Sequence, residues 1–266
     1  MTEPVQRDGE QAGAPGAPQE QADARDVAYW AKSVSRLNVS AVPAGATGIN
    51  VSGRRLNSPI QGFGKMWQKT YQVRIPADRV SPVELVATWK QRFPDFWPAG
   101  NRFYSSLTGI APGEVALIER TLAGPLTLST GVMVLYADDE SFTLMTPQGM
   151  VFAGWITFSA AQQDDQTVAQ AQVLMRGSDP LYELGLMLGG HRQEDTFWDS
   201  TLRALAAHFG APDATVDTAV VCVDRKRQWR RWSNIWQSAA IRSTLYLMTA
   251  PFRALTGFLR RSRADR

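Results

Sequence analysis

One cysteine, Cys222, and two histidines, His191 and His208, are all that 266 residues offer of the side chains that build disulfides and imidazole metal sites. An internal disulfide and a cysteine-rich metal centre are thereby excluded, and no metal or cofactor is expected. The chain also lacks GxGxxG after a strand-like run, GxxxxGK[ST], HExxH and GxSxG, which removes the common signatures of nucleotide binding, zinc proteolysis and serine hydrolysis. No internal repeat is visible. The opening MTEPVQRDGEQAGAPGAPQEQ has neither the apolar core of a secretory signal nor the arginine bias of a transit peptide, so cytoplasmic residence is the expectation.

Charge is scarce overall but unevenly placed. Residues 1–28 carry six acidic side chains against Arg7 and Arg25, whereas residues 224–266 hold eleven Lys or Arg against two Asp, a net of +9 in a chain whose total is +3. The basic balance therefore belongs to the tail and not to the domain. Residues 1–26 have too few large apolar groups to offset the entropy of ordering a backbone and read as disordered. Residues 27–62, with a short helical pattern and then Gly/Pro punctuation, read as a lead-in packed on the domain edge.

From residue 63 the pattern becomes regular. MWQKTYQVRI alternates as a strand, and Ser81-Pro82-Val83-Glu84 supplies an N-cap, a first-turn proline and a first-turn acid for a helix over Leu85, Val86 and Trp89. GEVALIERT, LTLSTGVMVLY, SFTLMTP, VFAGWITFSA and TVAQAQVLMRG follow as strands, several apolar on both faces. The final pattern, Pro180 to Phe209, places Leu184, Met187, Leu188, Trp198, Leu202, Leu205 and Phe209 on one helical stripe with His191 at its centre. The predicted architecture is α+β: a curved antiparallel β-sheet gripping a long C-terminal α-helix over residues 63–210, then a linker at 211–223 and a basic amphipathic helical tail at 224–266.

This order of elements, with the runs PQGMVFAGWITFSA, RGSDPLYELGLMLGGH and LRALAAHFG, resembles the START-like (SRPBCC, helix-grip) superfamily that includes the birch pollen allergen. The resemblance implies a deep cavity between sheet and helix that holds a hydrophobic small molecule or lipid; it does not imply one activity. Candidate lining residues are Trp89, Trp97 and Phe103 around the FPDFWPAGNRFY loop, Met133, Met145, Trp155 and Met175 on the strands, and Leu184, Met187, Leu188, His191 and Trp198 on the helix. His191 and Asp195, one turn apart, are candidate catalytic residues for a cyclase- or hydrolase-like reaction, because a carboxylate can orient an imidazole and raise its basicity. The alternative is that His191 satisfies a backbone carbonyl or water beside Gly189-Gly190. Gly185, Gly189 and Gly190 leave room for a ligand or for close packing on the sheet. Arg74, Arg92, Arg102, Arg120 and Arg176 read as solvated or paired with Glu84, Glu114 or Glu119.

In the tail, Trp229, Trp232 and Trp236 share a helical stripe with Ala239, Tyr246 and Leu247, with Arg230, Arg231 and Arg242 mostly off it. A second stripe after Pro251 carries Phe252 and Phe258 beside Arg260 and Arg261. Tryptophan opposite arginine is the pattern of a helix lying in lipid headgroups, so an anionic membrane surface at the inner face is the first partner to expect. Docking on protein, nucleic-acid binding and true spanning rank behind it in that order, and oligomeric state is left open. Three functions follow: hydrophobic ligand binding with membrane-surface attachment, an enzyme using His191 and Asp195, or an interaction module whose cavity is filled by its own side chains.

Overall fold

The computed structural model describes residues 27–39, 42, 46, 48–121 and 127–248. The expectations for residues 1–26, and for Phe252, Phe258, Arg260 and Arg261, lie outside them. Eight strands form one antiparallel sheet: β1 (Met66–Pro76), β2 (Asn101–Tyr104), β3 (Val115–Thr121), β4 (Thr127–Ala137), β5 (Ser141–Met145), β6 (Phe152–Gln163), β7 (Gln166–Gly177) and β8 (Val216–Asp224), in the order β2-β3-β4-β5-β6-β7-β1-β8. Consecutive strands from β2 to β7 are neighbours, and β7 returns to pair with β1. The helices are α1 (Pro82–Gln91), α2 (Pro180–Gly185), α3 (His191–His208) and α4 (Ala239–Met248).

Two helices cover one face of the sheet. Helix α1 starts where the sequence says it must: Ser81 accepts a hydrogen bond from the Glu84 amide, with proline in the first turn. It buries Leu85, Val86 and Trp89, and Trp89 meets the Phe142 and Phe158 rings at 6.0 and 5.1 Å. Helix α3 buries Glu194, Phe197, Trp198, Thr201, Leu202, Leu205 and Ala206, a stripe at helical spacing. Phe93, from the turn after α1, fills the space between them against Phe103, Phe142 and Phe158. This aromatic plug is the main core, and truncating a ring such as Trp89 there costs about 3–5 kcal/mol.

Three expectations are corrected. The single helix over 180–209 is interrupted: between α2 and α3 lies a wide turn, Leu186–Gly190, in which Leu188 has ψ 16° and Gly189 has φ 122°. An L side chain rarely adopts that conformation, so Gly189 is there for the kink between the two helices rather than for packing; a Cβ at Gly189 would meet nothing within 4 Å. Second, the presumed linker contains β8, which pairs with β1 from Val73↔Val216 to Trp67↔Cys222 and extends the sheet past the long helix. Third, the lead-in, expected on the domain edge, covers the outer face of the sheet. Leu37 and Val51 pack there on Leu117 and Met133, and Ala31 donates its amide to the Leu135 carbonyl. That second layer is why β4 is apolar on both faces.

The segment after β8 is tied to the domain. Buried Arg176 reaches Asp224 and the carbonyls of Gly64 (2.6 Å) and Lys226 (2.9 Å), and Arg227 pairs with buried Glu183 at 3.2 Å. A tight helical run, Trp229–Gln237, then precedes α4; Asn234 donates to the carbonyls of Gln61 and Ser178, each at 2.9 Å. The Ala239 amide donates to the Gly149 carbonyl at 2.8 Å. The predicted continuous amphipathic helix is thus two pieces separated at Ser238, with Ser238 and Ala239 buried.

Candidate ligand cavity

Residues of β3 to β7 and α3, with Phe93 and Trp97, enclose a space of about 70 Å³ between the sheet and α3. Apart from Arg120, Thr146 and Glu194 its walls are apolar: Ile118, Val132, Leu144, Met150, Phe152, Ile156, Val173, Met175, Phe197 and Trp198 among them. The deep cavity implied by the resemblance is replaced by this small one, because the aromatic plug fills the α1 end. Two larger grooves adjoin it. One, of about 490 Å³, runs beneath the 186–190 turn along Leu128, Thr130, Tyr182 and Gly189; the other, of about 430 Å³, passes Pro98, Asn101, Arg192 and Ser200. Arg120 borders all three spaces. Together they reach the size range of small-molecule sites, which the enclosed part alone does not.

Beside the cavity lies a buried ionic cluster. The Lys69 side chain is 1% exposed; its ammonium donates to Asp195 Oδ1 at 2.6 Å and to the His191 carbonyl at 3.2 Å, and it pairs with Glu194 Oε2 at 3.2 Å. The ammonium thus makes two hydrogen bonds and one ion pair, and Glu194 Oε2 accepts no hydrogen bond. The Tyr71 hydroxyl donates to the same Asp195 oxygen at 2.6 Å. Burial first, then the nearby Glu194 and Asp195 charges, hold Tyr71 well above its ordinary value, so it acts as a neutral donor. Burial also raises the Glu194 carboxyl, against the opposing pull of Lys69 and Arg120. His191 is pushed down to about 4, chiefly by burial and then by the Lys69 charge, and is neutral at pH 7.

The predicted site residues are dispersed by this arrangement. Trp97, Trp155, Met175 and Trp198 border the enclosed space. Trp89 is buried in the plug, and Phe103 backs Phe93 and Trp97 from β2 at 4.9 and 5.2 Å. Met133 belongs to the outer layer, and Met145, next in line to the inward Leu144, falls on the strand's other face. Leu184, Met187 and Leu188 are 48, 53 and 78% exposed; Leu188 borders the groove beneath the turn, while Leu184 and Met187 border none of the three spaces. The His191–Asp195 pair is not formed either: Asp195 is turned to Lys69 and Tyr71, while the imidazole meets Trp67 edge-on at 5.2 Å.

Lys69, Tyr71, Glu194 and Arg120 were missed. Lys69 sits in alternation with Trp67, Tyr71, Val73 and Ile75, the inward face of β1, and Glu194 shares the spacing of Phe197, Trp198 and Thr201. Both signals are present in the sequence. Arg120, expected to be solvated or paired with glutamate, instead places its guanidinium carbon 4.6 Å over the Phe197 ring. Arg176 also departs from that reading, being 3% exposed in the clasp that holds the chain after β8.

No protein-family model and no curated protein matches this chain. Solved structures do show a similar layout. Protein Ms6760 from Mycobacterium smegmatis is 12% identical over 54% of this chain and 91% of that one, with a TM-score of 0.39. The ginseng major latex-like protein 151 from Panax ginseng is 12% identical over 55% and 99%, at 0.37. The di-domain ARO/CYC StfQ from the steffimycin biosynthetic pathway is 10% identical over 53% and 50%, at 0.38. At TM-scores below 0.5 these are likenesses of layout, and nothing about the chemistry of this chain follows from them. Among the described residues no helix is long and apolar enough to cross a membrane, and no group of three or more potential metal ligands occurs.

Proposed function

We propose that this protein is a START-like binder of a small apolar molecule, held where the enclosed cavity meets the groove beneath the 186–190 turn. The observation that carries the reading is a greasy space that opens into a groove at a helix break, instead of an interior packed solid. Native mass spectrometry after mild extraction tests it. A co-purifying small molecule, lost on organic extraction and restored by adding the extract back, is the expected result. Bare protein that takes up nothing from a cell extract refutes binding and leaves the interaction module. The enzyme reading has less behind it, since His191 borders none of these spaces and Asp195 is engaged elsewhere.

A membrane-surface contact at the cytoplasmic face belongs to the same proposal. Trp229, Trp232 and Trp236 are 70, 57 and 72% exposed, with exposed Arg230 and Arg231 beside them, on a segment anchored to the domain. Indoles and guanidinium groups displayed together suit an anionic headgroup layer, each basic residue adding about 1 kcal/mol. Flotation with phosphatidylserine-containing vesicles is expected for the wild type and not for the triple alanine variant at these tryptophans; wild-type protein remaining at the bottom of the gradient refutes the contact.

A further inference from the structure

We propose that the ligand is an amphipathic acid whose carboxylate is received by Arg120 and Thr130, a claim that rests on the binding reading above and adds the chemistry of the ligand's polar end. The two side chains come from neighbouring strands. Ile118 pairs with Thr130 and Arg120 with Leu128, so Arg120 and Thr130 are diagonal neighbours on the face that looks toward α3. Both border the groove beneath the 186–190 turn, and Arg120 also borders the enclosed cavity.

Neither has its hydrogen-bonding capacity filled. Thr130 is 1% exposed, and its hydroxyl has no partner. The Arg120 Nε is buried without a partner; among the described residues the group makes no ion pair, and its guanidinium carbon lies 4.6 Å over the Phe197 ring. Lys69 and Tyr71 cannot serve instead, since both are turned to Asp195, and Lys69 to Glu194 as well. Trp97, on the wall of the cavity and 5.1 Å from the Phe197 ring, adds another buried donor with nothing to donate to, its indole Nε1. Buried polar groups without partners are uncommon in folded proteins. Here three can donate, Arg120, Thr130 and Trp97, against one unpartnered acceptor, Glu194 Oε2, which Lys69 already neutralises at 3.2 Å, so the outstanding need is for an acceptor.

A planar carboxylate is the acceptor that a guanidinium fork matches best, and the Thr130 hydroxyl can complete its coordination. Met150, Phe152 and Glu194 border both the groove and the cavity, so an apolar body leaving the carboxylate runs between Met150 and Phe152 toward Met175 and Trp198. Burial lowers the Arg120 guanidinium below its ordinary value, with Glu194 opposing; an ionised ligand reverses that penalty.

The test compares octanoate with methyl octanoate, which keeps the apolar body and the carbonyl but loses the charge. Titrations by calorimetry use the full chain, its Arg120→Met variant and its Thr130→Val variant. Octanoate is expected to bind wild type about 10–100-fold more tightly than the ester, as befits a charge-assisted hydrogen bond. Arg120→Met removes that preference while ester affinity stays within about 3-fold, and Thr130→Val reduces octanoate affinity by roughly 3–10-fold. Thermal melts confirm that the variants are folded. Equal affinity of wild type for acid and ester, or octanoate binding that is indifferent to Arg120→Met, overturns the carboxylate while leaving the apolar site standing. Binding of neither probe overturns both.

Discussion

Lys69→Met is the sharpest probe of the buried cluster. The substitution keeps the length and apolar stem of the side chain and removes its ammonium, which leaves Glu194, 3% exposed, without the cation 3.2 Å from its Oε2. Asp195 is less affected, since its side chain is 36% exposed and keeps the Tyr71 hydroxyl. Breaking a buried pair from one side costs about 3–5 kcal/mol, a large part of the roughly 5–15 kcal/mol that holds a domain together. Glu194 can escape by taking up a proton. Its folded-state carboxyl is already raised by burial, so its contribution is favourable at low pH and is lost as pH rises through the folded value. Holding a glutamate neutral costs about 1.4 kcal/mol for each pH unit above its ordinary value near 4.3, hence about 5 kcal/mol at pH 8 and about 1.6 at pH 5.5. The loss in Lys69→Met is therefore expected to be about 3–5 kcal/mol at pH 8 and about 1–2 at pH 5.5. Urea unfolding followed by tryptophan fluorescence at the two pH values measures it, and adding Glu194→Gln should recover most of the deficit at pH 8. A loss below about 1 kcal/mol at pH 8, or one independent of pH, would falsify the account of the cluster.

Two further substitutions address other parts of the fold. His191 has its folded value lowered from 6.5 to about 4, so its neutral form supplies stability that is complete above pH 6.5 and lost as pH falls through 4. His191→Gln should flatten that acid limb by about 1–2 kcal/mol, discounted from the full linkage because the ring is partly exposed, and parallel stability curves from pH 6.5 to 4 would refute the assignment. Gly149 has φ 89°, and a Cβ there would lie 2.0 Å from the Gln237 carbonyl oxygen. Gly149→Ala should loosen the segment that carries Gln237 and Ala239, seen as faster tryptic cleavage at Arg242; an unchanged cleavage rate would contradict the docking.

The parts legible in the sequence are those set by local rules. Ser81-Pro82 announces α1, and the runs between residues 66 and 177 mark the strands apart from β2, which lies in the aromatic-rich FPDFWPAGNRFY loop, because alternation and turn residues act within a few positions. Where the reading failed, a distant partner or a single torsion angle decided. VDTAVVCVD looks like a strand, but its role depends on β1, 143 residues earlier at the Val73↔Val216 pair. One helical phase carried from Leu184 to Phe209 puts Leu184 and Met187 on the cavity stripe, and the positive φ of Gly189 breaks that phase. At the site, His191 attracted notice by its rarity. Lys69 and Glu194 were there to be found as charged residues on apolar faces, whereas the solitude of Arg120 is a property of what surrounds it in space.

The first strand of the sheet is also the one that waits longest for company. Val73 on β1 pairs with Ala169 on one side and Val216 on the other, 96 and 143 residues further along the chain. A growing polypeptide thus presents β1 as an open template until nearly all of the domain has left the ribosome, and both of its flanks close late. Any version of this protein cut after α3 would leave that flank of β1 bare, whereas in the full chain the nine residues of β8 cover it and become the open edge of the sheet in its place.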